Sequence, residues 1–266
     1  MPNRRNVFFY HTKSSEMVEK VQHLYELAER YSFKIVSDFR QANVIVSVGG
    51  DGTFLQAVRK TGFRDDCLYA GISTSGNLNM YCDFHLSDTS KMIEAMTLEQ
   101  IEVHRYPTIE ITLDNNPPFY ALNELSIRSS IIKTFLLEVF IDNIHFETFR
   151  GDGMVISTPT GSTAYNKSVN GAVVDPTLPC FQVSELASLN NNTYRTLGSP
   201  FILGSDRVLT LKVVQDGNDY PTIGMDNEAM SIQHIENVQT KLSGKIIKTV
   251  KLKDNSFWEK VKRTFL

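Results

Sequence analysis

The sequence predicts an α/β first domain built on a parallel, Rossmann-like sheet. A β-rich, sandwich-like second domain follows, and a C-terminal helix docks back on the first. Three observations carry this prediction. Strand and helix patterns alternate up to about residue 97, the hydrophobic period shortens to two from about residue 101, and residues 254–266 turn helical again.

Residues 6–11 (NVFFYH) form the first apolar strand pattern. Ser14 or Ser15 then caps a helix over Glu16–Tyr31, whose Met17, Val21, Leu24 and Ala28 share one face. Phe33-Lys34-Ile35-Val36 is a short strand, and after a polar turn Val44–Val48 is apolar enough to be buried on both sides. A glycine-rich turn leads into a helix over Thr53–Lys60, and Cys67–Ile72 is the next strand. Strand, helix and strand at this spacing require crossovers, which make the sheet parallel and doubly wound. Beyond it, Ile109, Ile111 and Leu113 alternate with Thr108, Glu110 and Thr112, and Leu209, Leu211 and Val213 with Thr210 and Lys212. Such alternation marks half-buried antiparallel strands. The boundary falls near residues 97–102, giving domains at 1–100 and 101–253 and a helix at 254–266. Ser256-Phe257-Trp258-Glu259 fits a capping box, Phe257, Val261 and Phe265 share a face, and Lys260, Lys262 and Arg263 are read as a solvated basic face.

Composition narrows the function classes. The chain has 266 residues, 41% hydrophobic and 21% charged, which disfavours both disorder and a membrane protein. A formal charge of −3 gives no electrostatic footprint for nucleic acid, so an anionic ligand must be met by local groups or a metal ion. The three cysteines, Cys67, Cys82 and Cys180, contain no CxxC pair and imply neither a disulfide framework nor a zinc site. The basic start, Met1 to Arg5, precedes an apolar run of only Val7 to Tyr10, too short for a signal-peptide core, and the expected compartment is the cytoplasm.

The motif that carries chemistry is SVGGDGTFL at 47–55. After a buried strand, glycines let the main chain pass close to a ligand, and the helix that follows offers free N–H groups to phosphate. The segment is neither a Walker loop nor a G-x-G-x-x-G turn; it holds instead an acid, Asp51, at its tip. Alone, that acid is equally readable as a cap for the next helix. A second glycine-rich region, RGDGMVISTPTGSTAYNKS at 150–168, adds Gly151-Asp152-Gly153 and a run of hydroxyls before an aromatic residue, suited to sugar hydroxyls and a flat ring. Two acid-bearing glycine turns in separate domains point to a cleft between them. In YALNELSIRS, adjacent Asn123 and Glu124 in a strand point to opposite faces, so at least one is expected to face a polar site or solvent.

GGDGT at 49–53, Asn123-Glu124 and GDGMVISTPTGSTAY at 151–165, in this order and spacing, resemble the ATP-NAD kinases, with the bacterial short form nearest in length. The resemblance covers about residues 43–230, and TPTGSTAY is its most specific segment. It implies phosphate transfer from ATP to the 2′-hydroxyl of the adenosine ribose of NAD. Asp51 would lie beside that hydroxyl, with Gly49, Gly50, Gly52 and Thr53 facing the ATP phosphates. Asn123 and Glu124 would bind NAD through ribose and base, and Asp152 would lie by the nicotinamide carboxamide. Thr163, Ala164, Tyr165 and Ser168 would line the nucleotide pocket, and Ala187 and Tyr194 belong to a segment approaching the site. Asp226 follows the family's acidic turn loosely. With no P-loop lysine, Mg²⁺ on the phosphates is expected, with Arg150, Lys167 and Arg195 as candidate helpers. The resemblance also implies a homotetramer assembled through the β-rich domains. The chain departs from the family at Gly71–Met80, where the turn is one residue longer and Asn79 replaces a glycine; Asn tolerates positive φ better than most residues. The alternatives are a lipid or sugar kinase sharing GGDGT, or a non-catalytic NAD(P) sensor.

Overall fold

The computed structural model describes residues 5–75, 78–98, 100–230 and 233–266, without the side chains of residues 96 and 97. The basic stretch Met1–Arg4 and Gly76-Asn77 of the 71–80 turn lie outside the described residues. The chain divides into two compact units, residues 1–105 with 247–266, and residues 106–246.

The first unit contains β1 (Asn6–Tyr10), α1 (Ser15–Arg30), β2 (Lys34–Ile35), β3 (Val44–Val48), α2 (Asp51–Lys60), β4 (Leu68–Ser73), β5 (Cys82–His85) and α3 (Thr89–Thr97). Its strands lie in the order β2-β1-β3-β4, each pair parallel, and β4 also pairs in parallel with β5. Ser14 caps α1, accepting the amide of Met17 at 3.3 Å, and Val21 and Leu24 are buried while Met17 and Ala28 are half-buried. These side chains pack with Val7, Val46, Val48 and Ile72 of the strands and Met92 and Ala95 of α3. On α2, Phe54, Leu55, Ala57 and Val58 are buried. Helix α3 escaped the periodicity reading, although Asp88, which accepts the amide of Lys91 at 3.1 Å, is a readable cap.

The second unit holds most of β6 (Ile101–Leu113), then β7 (Phe119–Ala121), β8 (Glu124–Arg128), β9 (Phe135–Ile141), β10 (Ile144–Gly151), β11 (Gly153–Ser157) and the short α4 (Tyr165–Ser168). It continues with β12 (Cys180–Leu186), β13 (Phe201–Gly204), β14 (Val208–Val213), β15 (Thr222–Met225), β16 (Glu228–Ala229) and the start of β17 (Asn237–Leu252). One layer is β10-β9-β14-β17 with β6 and β7; the other is β13-β12-β11-β8-β15-β16. Inward side chains of both layers, among them Ile109, Ile111, Leu137 and Leu211 from one and Leu125, Ile127, Ile156 and Phe181 from the other, form one core.

The chain leaves the second unit within β17, at residues 246 and 247, because Lys248 and Thr249 pair with Leu68 and Tyr69 of β4. The terminal α5 (Phe257–Phe265) belongs to the first unit, capped by Ser256 through the amide of Glu259 at 3.2 Å. Its basic residues are not uniformly solvated. Lys262 is exposed, but Lys260 is buried, because Asp83 of β5 supplies a carboxylate beneath it.

Candidate functional site

In the first unit the functional turn sits at the carboxyl end of β3, where ligands approach open parallel sheets. Gly49 has φ +155°, and a Cβ there would lie 2.3 Å from Thr53 Oγ1, so this position excludes other residues. Gly50 is the residue before α2 and makes no side-chain cap; a Cβ on it would meet none of the described residues within 4 Å. Gly52 is exposed and Thr53 half-buried in the first turn.

Asp51 does not cap its own helix. Its Oδ2 accepts the amide of Met80 and its Oδ1 that of Tyr81, both at 2.9 Å, from a segment 29 and 30 residues further on. The Tyr81 ring stacks on Phe54 with centroids 4.7 Å apart and planes 4° from parallel, and Cys82 Sγ lies 3.6 Å from the Gly49 carbonyl oxygen. Helix turn and incoming segment are therefore clasped on both sides of the carboxylate. Asn79 does not adopt positive φ, so the tolerance expected of it is not used.

In the second unit the site grows from sheet register. β8 lies between β11 and β15, with Glu124 opposite Ser157 and Leu125 opposite Met225. Whatever follows β11 and β15 must meet residues 122–124. Thr158 donates its amide to the Asn123 carbonyl at 2.8 Å, and its hydroxyl to the Leu122 carbonyl at 2.6 Å. Asp226, at φ +52°, accepts the amides of Leu122 and Asn123 at 3.0 and 2.7 Å. Gly161 packs so closely that a Cβ would lie 2.0 Å from the Asn123 carbonyl oxygen.

Asn123 and Glu124 are both buried, so the polar surroundings expected for at least one of them lie within the fold and not in solvent. The hydroxyls of TPTGST also work largely inside the fold: Thr158 and Thr160 bind the Leu122 carbonyl, Ser162 donates to the Pro159 carbonyl, and Thr163 to that of Thr160. Ser168 is exposed and its hydroxyl returns to the Tyr165 carbonyl at 2.7 Å. Ala164 and Tyr165 are half-buried. Burial, and then the nearby Asp226 carboxylate, push the Glu124 carboxyl up to about 8, against the opposing hydrogen bond from the Tyr165 amide. Its Oε2 is buried and has no hydrogen-bond partner among the described residues, which suits a group awaiting a ligand.

Asp152 is exposed between β10 and β11, its amide donating to Leu186 and its carbonyl accepting from Ser129. Ala187 is exposed at φ +47°, an uncommon conformation for a residue with a Cβ. Arg150, a candidate phosphate helper, braces Tyr194. It donates from Nε to Thr134 Oγ1 at 2.7 Å and from Nη1 to the Tyr194 hydroxyl at 2.8 Å, with its guanidinium 5.0 Å from the ring centroid. Lys167 and Arg195 are exposed. Sequence reading missed the amides of Met80 and Tyr81 and the support given by Thr158 and Gly161. Only the glycine within TPTGSTAY signalled any of these, since a backbone amide carries no residue-specific mark.

Residues 122–252 match the family described as ATP-NAD kinase C-terminal domain. The chain is 68% identical over 263 residues to NAD kinase 2 of Bacillus subtilis (strain 168), covering 99% of this chain and 98% of that one. It is 60% identical over 263 residues to NAD kinase 2 of Geobacillus kaustophilus (strain HTA426), with the same coverage. Two solved structures share the fold. Yeast NADH kinase complexed with NADH superposes with a TM-score of 0.78 at 19% identity, covering 100% of this chain and 91% of that one. An NAD kinase from Archaeoglobus fulgidus in complex with ATP gives 0.74 at 21%, covering 98% and 97%.

Proposed function

The chain belongs to the ATP-NAD kinase family and is an NAD kinase; from that premise we propose how its residues divide the work. Asp51 accepts the proton of the adenosine ribose 2′-hydroxyl of NAD as that oxygen attacks the terminal phosphorus of ATP. The new O–P bond forms, the bond to the bridging oxygen breaks, and ADP and NADP result. An ordinary carboxylate is too weak a base to ionise a sugar hydroxyl beforehand, so the proton moves late and orientation dominates. The observation that carries this reading is the Asp51 carboxylate itself, held through both oxygens on two amides and withheld from helix capping. Each oxygen keeps a second lone pair for the hydroxyl proton.

The turn Gly49-Gly50-Asp51-Gly52-Thr53 and the N-terminus of α2 receive the ATP phosphates. NAD is taken by Asn123, Glu124 and Asp226 with Thr163, Ala164, Tyr165 and Ser168, with Asp152 at the nicotinamide end and Ala187 and Tyr194 closing from the β12–β13 connection. A Glu124 carboxyl that keeps its proton up to about pH 8 can donate to a ribose or base acceptor as well as accept. Arg150 serves by holding Tyr194; Lys167 and Arg195 are left as exposed charges available to phosphate.

Mg²⁺ fits as a guest of the nucleotide. Among the described residues no group of three or more His, Cys, Asp or Glu side chains is placed to hold a metal ion, and Mg²⁺ ordinarily takes substrate phosphates and water. When bound there it neutralises charge on the transferring phosphoryl group. Exposed Ile144, Phe146, Leu197 and Ile202 on the β-rich unit favour self-association, which we assign as a homotetramer. Among the described residues no helix is long and apolar enough to cross a membrane; the compartment we propose is the cytoplasm.

Turnover of the purified protein with NAD, ATP and Mg²⁺, read by a dehydrogenase that accepts only NADP, tests the assignment beside Asp51→Asn. Steady NADP formation that vanishes in the variant, with NAD binding kept, is expected. Equal turnover in the variant would remove Asp51 from the mechanism.

A further inference from the structure

We propose that Lys251 and Lys260 are positioning residues for phosphoryl transfer, gripping from behind the peptide strip whose amides hold Asp51. This rests on the reading of Asp51 as proton acceptor. Lys251 Nζ donates to the carbonyls of Met80 and Tyr81 at 3.2 and 2.8 Å, and Lys260 Nζ donates to that of Met80 at 3.0 Å. Both ammonium groups also meet Asp83 Oδ1, Lys251 at 3.2 Å and Lys260 in closer contact, while Asp83 Oδ2 accepts the amide of Leu252 at 2.7 Å. The three side chains are 0 to 3% exposed.

The decisive geometry is a single peptide unit. The Met80 carbonyl and the Tyr81 amide belong to the same rigid plane, so fixing the oxygen fixes the direction of the N–H on the opposite edge. That N–H is the donor to Asp51 Oδ1. A cation on the carbonyl also polarises the unit and strengthens the amide as a donor. Arg263, further along α5, extends the same grip by donating to the Leu78 carbonyl at 2.8 Å. The path therefore runs from the C-terminal helix and the end of β17, through one strip of backbone, to the reacting carboxylate.

Two lysines around one carboxylate are an expensive way to fill a buried space, and apolar side chains would fill it with less desolvation. Burial and the Lys251 charge pull the Lys260 ammonium down to about 7, and the carboxylate of Asp83 opposes them. Among the ionisable neighbours are the Tyr81 ring, whose centroid lies 6.0 Å from Lys251 Nζ, and the Cys82 thiol, which burial pushes up to about 12 and leaves neutral. What the lysines supply that apolar groups cannot is directional contact with carbonyl oxygens.

The test compares Lys260→Met, Lys251→Met and Lys260→Gln with the wild type in kcat, KM for NAD and ATP, NAD-binding stoichiometry, thermal midpoint and amide exchange at Met80 and Tyr81. In each methionine variant kcat is expected to fall roughly 10- to 10²-fold with both KM values held within about threefold, the signature of a misplaced catalytic group. Binding stoichiometry stays full, and exchange at the two amides quickens. Lys260→Gln, which can still donate to the Met80 carbonyl, recovers most of the loss. A kcat within about twofold of wild type in the methionine variants, or, where one of them fails to fold, in its double variant with Asp83→Asn, which leaves no unpaired buried carboxylate, would overturn the proposal. Loss tracking only the fraction able to bind NAD would overturn it too, by reducing the lysines to a stability role. Asp51→Asn separates the two readings. If that variant keeps its turnover, the Asp51 assignment itself fails; if it is inactive while the lysine variants are normal, only this proposal does.

Discussion

Two turns in this molecule are built on the same Gly-Asp-Gly letters and do opposite things with them. At Gly50-Asp51-Gly52 the acid is half-buried, opens a helix after a parallel strand and is held by two amides from a remote segment. At Gly151-Asp152-Gly153 the acid is exposed, links strands of two different layers and uses its backbone groups to bind Leu186 and Ser129. In the first the glycines flank the acid we propose as proton acceptor; in the second a Cβ would strike the Leu186 and Ile127 carbonyls, so glycine lets the strands approach. Identical local letters thus acquire a role from what the fold brings opposite them.

The sharpest way to break this comparison is to neutralise both acids. Asp51→Asn is expected to lower kcat by about 10²- to 10⁴-fold, the usual reach of a positioned proton acceptor. Asp152→Asn should leave kcat within about threefold and act mainly on KM for NAD. Equal losses in steady-state turnover would mean that the two turns are equivalent after all.

Glycine substitutions sharpen the structural half. A Cβ at Gly161 would strike the Asn123 carbonyl at 2.0 Å, whereas one at Gly50 meets none of the described residues within 4 Å. Gly161→Ala is therefore expected to cost on the order of 2–4 kcal/mol of unfolding free energy in urea, and Gly50→Ala less than about 0.5 kcal/mol. The Gly50 variant should instead weaken ATP, since the added methyl occupies the approach of the phosphates.

A further contrast separates buried carboxyls of the two units. Asp83 is held below its ordinary value because Lys251 and Lys260 outweigh its burial. Glu124 has no such cation among its influences and rises from 4.5 to about 8. A raised folded-state value means that the folded protein keeps a proton the unfolded chain has lost, so this group lowers stability progressively from about pH 4.5 to pH 8, and the loss is level above that. Glu147, raised to about 7 by burial, acts with the same sign. Urea midpoints should therefore decline less steeply across this range in Glu124→Gln than in wild type, and parallel slopes would refute the assignment. Asp83 has the opposite sign: its contribution is present above its ordinary value and is lost on acidification through the lower folded one.

A small effect on the acceptor side is expected at Arg150. Replacing it with Lys keeps a charge but loses the forked contact to Thr134 and Tyr194, worth about 0.5–1 kcal/mol at a partly exposed ring. A modest rise in KM for NAD with kcat unchanged would place Tyr194 beside the acceptor.

Much of the fold was legible because it rests on local regularities. The period of apolar residues separates α1 and β3 from the alternating β6 and β14, Ser14 and Ser256 mark helix starts, and GGDGT and TPTGSTAY mark turns. Of the candidate site, the sequence made legible the side chains that carry chemistry, the acid at 51 and the pair at 123 and 124. Their surroundings were decided by the fold: Asn123 and Glu124 are both buried, the TPTGST hydroxyls bind the fold itself, and Arg150 grips an aromatic ring.

By itself, then, the sequence determined the element types, the two textures of the chain and the chemistry on offer at each turn, because these follow from residues within a few positions of one another. Only the tertiary structure decided that Asp51 rests on the amides of Met80 and Tyr81, that Asp226 reaches Leu122 and Asn123 across 104 and 103 positions, and that Lys260 is a buried partner of Asp83 177 positions away. Backbone amides and carbonyls are the same at every residue but proline. Which of them meet a given side chain is set by sheet register and helix docking, and no local pattern of letters encodes that.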